Sequence, residues 1–183
     1  VIRNNLVVDE GDAFNELLYK KTINNLKALN FFSDISSEII DGSLENQKVI
    51  NITVDEKPTG EIMAGAGVGT NGGTVGFGVS ENNFLGRGIE FSSNLSFTAE
   101  TIKGLISFNN QNFKGSNKSL NFSLESSVTD RMATYGYESK KTGFSIASGY
   151  EYYEDLYLIR GFSSYVENLE TSASASASLK KQK

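Results

Sequence analysis

The sequence predicts a small α+β module over residues 1–58, followed over residues 59–183 by the antiparallel β-strands of a truncated transmembrane β-barrel. Glycine gives the first indication, because only two of the 18 glycines precede residue 60. Apolar residues recur with helical spacing before that point and alternate with small polar residues after it. Pro58, the only proline, lies at the join, where its fixed φ suits a rigid junction between the two parts.

The composition excludes several classes of function. The 183 residues include no histidine and no cysteine, which removes zinc sites built from these residues, Ser-His-Asp triads, thiol nucleophiles and disulfides. A net charge of -5 provides no basic surface for a phosphate backbone. We therefore expect none of these sites and no nucleic-acid partner, and no pattern in the sequence indicates an enzyme activity, a cofactor or a metal site.

The first module is predicted to contain a helix over residues 13–29. Asp12 is the predicted N-cap, because its carboxylate can accept hydrogen bonds from the free amides of the first turn. One apolar stripe follows the helical period and consists of Tyr19, Ile23, Leu26 and Leu29. Asn30 is the predicted left-handed terminator, and Phe31 and Phe32 are expected to pack under the helix.

Two short strands are predicted to complete the module. They cover residues 35–40 and 49–55, and a turn that begins at Asp41 follows the first of them. The second strand has one apolar face, made by Ile50, Ile52 and Val54. A domain of this size is only marginally stable, so we expect a further strand in front of Val1. We interpret this chain as an internal piece of a longer protein.

Seven strands are predicted after the proline, the first over residues 61–70 and the last over 155–165, where the register stays open. Their apolar side chains alternate with Gly, Ser and Asn, as they also do in soluble sandwiches. The face formed by Gly, Ser and Asn carries few charges, which is more typical of a water-filled lumen than of the outer face of a sandwich. Ten residues at about 3.3 Å each, tilted by about 45°, rise roughly 23 Å, close to the apolar band of an outer-membrane barrel.

The predicted connections alternate in length: tight at 71–73 and 99–100, moderate at 82–87 and 111–118, and long and polar over 129–140. Residues 171–178 are interpreted as a solvated loop or as a strand that continues beyond the chain. Bacterial barrels use even strand numbers from eight upward, and an open edge in lipid leaves backbone groups unpaired. Seven strands do not close such a barrel, so we expect further strands outside this sequence.

Three segments resemble a known family. Residues 26–35 (LKALNFFSDI) resemble the signature of a POTRA domain, with Asn30 in place of the usual glycine. Residues 54–60 (VDEKPTG) resemble the seam between the last POTRA domain and its barrel. Residues 81–88 (ENNFLGRG) are similar to the first periplasmic turn of the bacterial surface antigen family, which joins POTRA domains to a barrel.

This resemblance implies that residues 1–58 are the last POTRA domain without its first strand, located in the periplasm. It also implies that residues 59–183 are the first seven or so strands of a sixteen-stranded barrel in the Gram-negative outer membrane. Members of the family catalyse no bond chemistry; they fold and insert other β-barrel proteins. The implied partners are unfolded outer-membrane β-barrel clients, accessory lipoproteins of the assembly complex and membrane lipid.

Other interpretations of the sequence remain open at this point. A related translocation and assembly barrel, or a two-partner secretion pore, also joins POTRA domains to a barrel. From other classes, a passive porin fits the strands but leaves residues 12–56 unexplained, and a soluble adhesin-like or lectin-like β protein is a further alternative.

By the resemblance, the first barrel strand is the gate strand that pairs with client strands. Its residues are Ile62, Met63, Ala64, Gly65, Ala66, Gly67, Val68 and Gly69. The three glycines weaken packing and raise the entropy of the unfolded strand, and an edge with unpaired amides is a template for another strand. In the alternative interpretation, the glycines only make room for close approach of another backbone.

Two further sites are implied by the same resemblance. The strand after the helices forms a POTRA sheet edge, and the matching residues here are Ile35, Ser36, Ser37, Glu38 and Ile39. An arginine and a glutamate that help dock an accessory lipoprotein match Arg3 and Glu10. Asn4 and Asn5 replace the usual Arg-Glu pair of that motif, and the alternative is that Arg3 and Glu10 are ordinary solvated charges.

Two other patterns are given no functional role. Residues 159–162 (IRGF) are similar to an Arg-Gly-Phe motif that the family carries much further along the barrel, so we interpret this match as coincidence. The acidic pairs at residues 9–10 and 154–155 lack the glycine-bearing ligand loop of a calcium site. They are interpreted as solvated turn residues.

Overall fold

The structure, a computed structural model, describes residues 1–8, 10–44, 47–69, 72–116, 118–153 and 156–181. The chain divides into two units, Val1–Thr59 and Gly60–Lys183. Within the described residues, no helix is both long enough and apolar enough to cross a membrane.

The first unit is built from one helix and one hairpin. A single 3-10 turn at Arg3–Asn5 is followed by α1 (Glu16–Ala28), and then by the antiparallel pair β1 (Phe32–Asp41) and β2 (Lys48–Glu56). Both strands extend beyond their predicted limits.

The predicted cap of α1 is wrong. Asn15, not Asp12, caps the helix, because its side-chain oxygen accepts hydrogen bonds from the amides of Leu17 (2.8 Å) and Leu18 (3.3 Å). Asp and Asn cap about equally well, so residue type alone does not separate the two positions. Asn15 has the advantage that Glu16 follows it in the first turn, where the helix dipole favours an acidic side chain.

The predicted end of the helix and its apolar stripe are confirmed. Asn30 has a φ of 58°, the left-handed conformation expected after the last turn. Leu26 is fully buried and Phe31 is buried. Thr22 is also buried, and its hydroxyl accepts a hydrogen bond from the amide of Val7 (2.9 Å), which ties the N-terminal segment to the helix.

The hairpin presents one half-buried face, as predicted. Ile50, Ile52 and Val54 of β2 are half-buried and lie opposite Ile39, Ser37 and Ile35 of β1. Beyond the end of β1, the amide of Gly42 donates to the carbonyl of Gln47 (2.8 Å). Residues 45 and 46 of this connection lie outside the described residues.

The second unit is a seven-stranded antiparallel sheet in which each strand pairs with the next along the chain. The number of strands is as predicted. Their bounds are β3 Gly60–Gly69, β4 Gly72–Phe84, β5 Ile89–Thr98, β6 Thr101–Asn110, β7 Lys118–Arg131, β8 Tyr137–Tyr153 and β9 Leu156–Thr171. Within the described residues the sheet does not close, since β3 and β9 each have one neighbour.

The predicted polar loop over residues 129–140 is wrong. The ladder between β7 and β8 continues to the pair Arg131 and Tyr137, so only residues 132–136 connect the strands. Polar side chains do not prevent pairing, because the ladder is made by the backbone. Arg131 also forms an ion pair with Glu100 (2.8 Å), a contact between residues far apart in sequence.

The end of the sheet also differs from the prediction. β9 extends to Thr171, beyond the predicted limit of 165, while residue 155 lies outside the described residues. Its register is fixed by pairs such as Phe162 opposite Ile146. After Thr171 the chain forms a turn and a short helix, α3 (Ala177–Lys180), instead of the predicted loop or continuing strand. A second short helix, α2 (Met132–Tyr135), lies in the β7–β8 connection.

The two faces of the sheet differ sharply in chemistry. One cross-strand row on the apolar face consists of Phe91, Phe108, Phe122, Ile146 and Phe162. The adjacent row on the other face consists of Ser80, Ser92, Ser107, Ser123, Ser145 and Ser163. Within this serine row the hydroxyls of Ser92 and Ser107 are 2.7 Å apart. The predicted segregation of apolar and small polar side chains is therefore confirmed.

The apolar face is exposed. Phe77, Leu95, Ile106, Phe144 and Phe162 all keep more than a third of their surface accessible, and Phe162 keeps 61%. A soluble sandwich would bury these side chains against a second sheet. Among the described residues no second sheet covers this face.

Candidate functional site

The strand predicted to pair with clients lies at an edge of the second unit's sheet. Among the described strands, β3 pairs with β4 alone, from Gly60 opposite Glu81 to Gly69 opposite Gly72, with no irregularity in the register. Residue 70, the predicted last residue of the strand, lies outside the described residues. Because alternate residues of an edge strand direct their amides and carbonyls away from the sheet, β3 presents a row of backbone groups for which the described residues provide no strand partner.

The side chains of β3 are exposed along its whole length. Ile62 is 86% and Val68 93% exposed, although both are large apolar residues. Ile62, Ala64 and Ala66 lie opposite Val79, Phe77 and Val75, on the apolar face of the sheet. Strand β3 therefore continues the apolar face to the sheet edge without being covered there.

Three of the four glycines of β3 have no close neighbour within the described structure, whereas a Cβ on the fourth, Gly60, would lie 2.9 Å from a carboxylate oxygen of Glu81. A Cβ atom placed on Gly65, Gly67 or Gly69 would have no neighbouring atom within 4 Å. At Gly143 of β8, by contrast, a Cβ would lie 2.7 Å from the carbonyl oxygen of Ser164. The described residues therefore place no atom near Gly65, Gly67 or Gly69, and the alternative that these glycines make room for another backbone stays open beside their conformational freedom.

The predicted edge residues of the first unit, Ile35, Ser36, Ser37, Glu38 and Ile39, all lie on β1, which has β2 as its single neighbour among the described strands. Their alternation places Ser37 on the helix side, where its hydroxyl contacts the hydroxyl of Tyr19. At the end of this ladder Lys48 hydrogen-bonds to Asp41 and thereby lowers the pKa of the Asp41 carboxyl.

The structure brings Arg3 and Glu10 together. An Nη atom of Arg3 lies 2.9 Å from a carboxylate oxygen of Glu10, and the side chains are 78% and 89% exposed. Glu10 also lines a cavity of about 220 Å³ whose apolar wall includes Leu6, Phe14 and Ile52. An exposed pair of this kind contributes little to stability, with a typical value below about 1 kcal/mol, so both charges are available to a partner at low cost.

The sequence interpretation missed a cluster on neighbouring strands, formed by Lys118 of β7, Tyr150 of β8 and Arg160 of β9. Arg160, set aside as part of a coincidental motif, donates a hydrogen bond to the hydroxyl of Tyr150 (3.1 Å). Arg160 lies two residues before Phe162, so strand alternation places both side chains on the apolar face. This spacing could have identified Arg160 from the sequence.

Among the described residues, no group of three acidic, histidine or cysteine side chains is arranged to hold a metal ion.

Comparisons with known proteins agree with the geometry. No protein-family model matches the chain. A protein of Treponema pallidum (strain Nichols), named as a candidate outer membrane protein assembly factor, is 28% identical over 132 residues, which are 68% of this chain and 16% of that protein. The outer membrane protein assembly factor BamA of Nitratidesulfovibrio vulgaris is 25% identical over 114 residues, which are 60% of this chain and 14% of that protein.

The fold gives the stronger match. The crystal structure of BamA from Haemophilus ducreyi lacking POTRA domains 1–3 matches with a TM-score of 0.82 over 93% of this chain and 33% of that one, at 22% identity. The chain is BamA-like. Its antiparallel strands resemble the barrel region of BamA, which confirms the predicted resemblance to an outer-membrane assembly factor, while the POTRA assignment of residues 1–58 stays a prediction. The chain spans about a sixth of the length of the curated relatives it matches.

Proposed function

We propose that this chain is part of a BamA-type insertase that folds and inserts β-barrel proteins in the bacterial outer membrane. In this proposal β3 is the gate strand, and an incoming client strand pairs with its outer edge. The single observation that carries the proposal is the geometry of β3, which among the described residues is an exposed edge strand with empty space where Gly65, Gly67 and Gly69 would carry side chains.

Strand addition supplies affinity through backbone hydrogen bonds, so it does not depend on the sequence of the client. This property suits a protein that handles many clients. Each glycine in a strand interior costs roughly 0.5–1 kcal/mol relative to alanine, which gives about 2 kcal/mol for Gly65, Gly67 and Gly69 together. The strand is therefore easier to open than the same strand with alanine at these positions would be, as exchange of one strand partner for another requires.

The exposed apolar face is proposed to contact lipid. Large exposed apolar patches mark interaction or membrane surfaces, and the apolar face extends across strands β3 to β9. The opposite face, with its row of serines, would then line water inside the barrel. A passive porin would share these two faces, but it gives no role to the first unit.

The first unit is proposed to be a POTRA domain located in the periplasm. The second unit is about two thirds of the chain, so a structural match over 93% of the chain includes most of the first unit as well. We propose that β1 gives this domain a second pairing edge, and that Arg3 and Glu10 contact an accessory lipoprotein. Bond chemistry is not part of the proposed function.

Disulfide cross-linking tests the gate strand in the intact protein expressed from its own gene. Single cysteines at Ile62, Ala64, Ala66 and Val68 would be paired with a cysteine in the terminal strand of a stalled client. This chain contributes no native cysteine to the background. A disulfide needs Cα atoms about 4.4–6.8 Å apart, so adducts should form only at positions in register with the client cysteine.

Leu95→Cys provides the matched control, because Leu95 lies on the same face of β5, a strand with neighbours on both sides. We expect client adducts along β3 and none at Leu95. Equal adduct yields at Leu95 and β3, or adducts elsewhere in the barrel with none along β3, would refute the gate assignment.

A further inference from the structure

One corner of the apolar face carries two cations and a phenol. It lies at the end of the sheet where β7 begins and where β8 connects to β9. Three consecutive cross-strand rows form this corner: Lys118–Tyr150–Leu158, Leu120–Ser148–Arg160 and Phe122–Ile146–Phe162. Because alternate residues of a strand share a face, Lys118, Tyr150 and Arg160 lie on the same face as the phenylalanines.

The contacts of Arg160 direct its charge toward the end of the sheet. Its Nη2 donates to the hydroxyl of Tyr150 at 3.1 Å, and its guanidinium carbon lies 5.8 Å from the centre of the Tyr150 ring. Tyr150 belongs to the row nearer the end of the sheet, whereas Phe162 belongs to the row on the other side of Arg160. The guanidinium therefore extends away from the apolar centre of the face.

Neither cation has an anionic partner among the residues that the structure describes. The ion pairs found there involve other residues and do not include Lys118 or Arg160. Neighbouring strands lie about 4.8 Å apart, so the backbones of β7 and β9 are about 10 Å apart on either side of Tyr150. The long side chains of Lys118 and Arg160 can thus converge on one small anion above the tyrosine.

We propose that Lys118, Tyr150 and Arg160 form a binding site for the headgroup phosphate of an anionic phospholipid. The proposal rests on the proposed function, because it needs the apolar face to contact lipid. Arginine presents a fork of N–H donors that fits phosphate oxygens, and lysine adds a point charge. The exposed side chains of Ile146 and Phe162 lie one row beyond Arg160, where they would contact the acyl chains.

The position of the cluster is consistent with membrane physics. A cation on the lipid face is costly at the bilayer centre, and this cost falls to near zero at the interface. Tyrosines are enriched at the interface, and Tyr152 and Tyr153 add two further rings beside Tyr150. The corner therefore has the composition expected at the level of lipid headgroups.

Native mass spectrometry of the intact protein tests the site. The protein is inserted into nanodiscs of phosphatidylcholine alone or with one quarter phosphatidylglycerol, then released in mild detergent, and the retained lipid is counted. Arg160→Gln and Lys118→Gln should each lower phosphatidylglycerol retention by about fivefold, since a cation near the surface contributes about 1 kcal/mol. Arg160→Lys should retain most of the binding.

Lys141→Gln is the matched control, because Lys141 lies on the opposite face of β8, over the ring of Tyr165. Its phosphatidylglycerol retention should stay within about twofold of the unsubstituted protein. The circular dichroism spectrum of each variant confirms the fold. If the double variant R160Q/K118Q inserts normally and retains as much phosphatidylglycerol as the unsubstituted protein, the lipid site is refuted while the proposed function stands. If the unsubstituted protein inserts into neither nanodisc, both proposals fail.

Discussion

Gly65 of β3 lies directly opposite Gly76 of β4, so this cross-strand pair near the middle of β3 has no side chain on either strand. Cross-strand side-chain pairs normally contribute about 0.2–1 kcal/mol each to a sheet. This contribution is missing at the Gly65–Gly76 pair, which lies beside the free edge. At this point of the ladder the pairing of β3 with β4 therefore depends on backbone hydrogen bonds alone.

Alanine at Gly65 and Gly67 should make β3 harder to open. Neither glycine has a left-handed φ, and a Cβ at either position meets no atom. Each substitution should stabilise the strand by about 0.4–1 kcal/mol, because alanine has less conformational freedom in the unfolded chain. The double variant G65A/G67A should show slower hydrogen exchange in β3. It should also insert clients on the order of fivefold more slowly.

Faster or unchanged client insertion by G65A/G67A, together with slower exchange in β3, would show that opening of this strand does not limit the reaction. Equal exchange in β3 before and after substitution would contradict the role assigned to the glycines themselves.

Gly143→Ala should have the opposite effect on stability. A Cβ at Gly143 would lie 2.7 Å from both the carbonyl oxygen of Ser164 and the Cβ of Tyr165. Overpacking of this kind typically costs about 1–3 kcal/mol, so G143A should lower the melting temperature. An unchanged melting temperature would mean that β8 and β9 separate easily at this point.

Leu95 and Asn94 are neighbours on β5 that belong to opposite faces of the sheet. Leu95→Lys should destabilise the membrane-inserted protein by about 2–4 kcal/mol, because lysine on the lipid face is costly near the middle of the bilayer. Asn94→Lys should cost much less, since its charge would enter water. Denaturant unfolding in lipid vesicles measures both effects. Equal losses for the two variants would contradict the assignment of the faces.

Charge reversal tests the pair formed by Arg3 and Glu10. Arg3→Glu should reduce the amount of accessory lipoprotein that co-purifies with the protein from its own membranes. The double variant R3E/E10R restores an ion pair with reversed polarity. If each residue contacts the lipoprotein, the double variant should not recover co-purification. Full recovery would mean that the pair only stabilises the local loop.

The sequence pattern predicts the main architecture because burial and exposure alternate with a fixed period. Seven strands and two chemically different faces follow from that period, as the phenylalanine and serine rows confirm. The left-handed Asn30 follows from local sterics at a helix end. Each of these features is determined by residues close together in the sequence.

Features that depend on distant partners are not predictable in this way. The strands β7 and β8 extend through polar residues because their backbones pair, and the ion pair of Arg131 with Glu100 adds a contact across 31 positions. The choice of Asn15 over Asp12 as the cap is likewise not encoded by residue type. The contact of Arg160 with Tyr150 follows from the register of β8 and β9, which residue type does not encode.

The account depends most on one claim, that the apolar face of the β3–β9 sheet contacts lipid and the serine-lined face contacts water. Spin labels attached to Leu95→Cys and Asn94→Cys in the vesicle-inserted protein test this claim directly, because this chain has no native cysteine to label. Power-saturation measurements should show that the label at residue 95 collides mainly with oxygen, which concentrates in lipid. The label at residue 94 should collide mainly with a water-soluble nickel complex. Equal accessibility of both labels to the nickel complex, or protection of the residue 95 label from both reagents, would contradict the account.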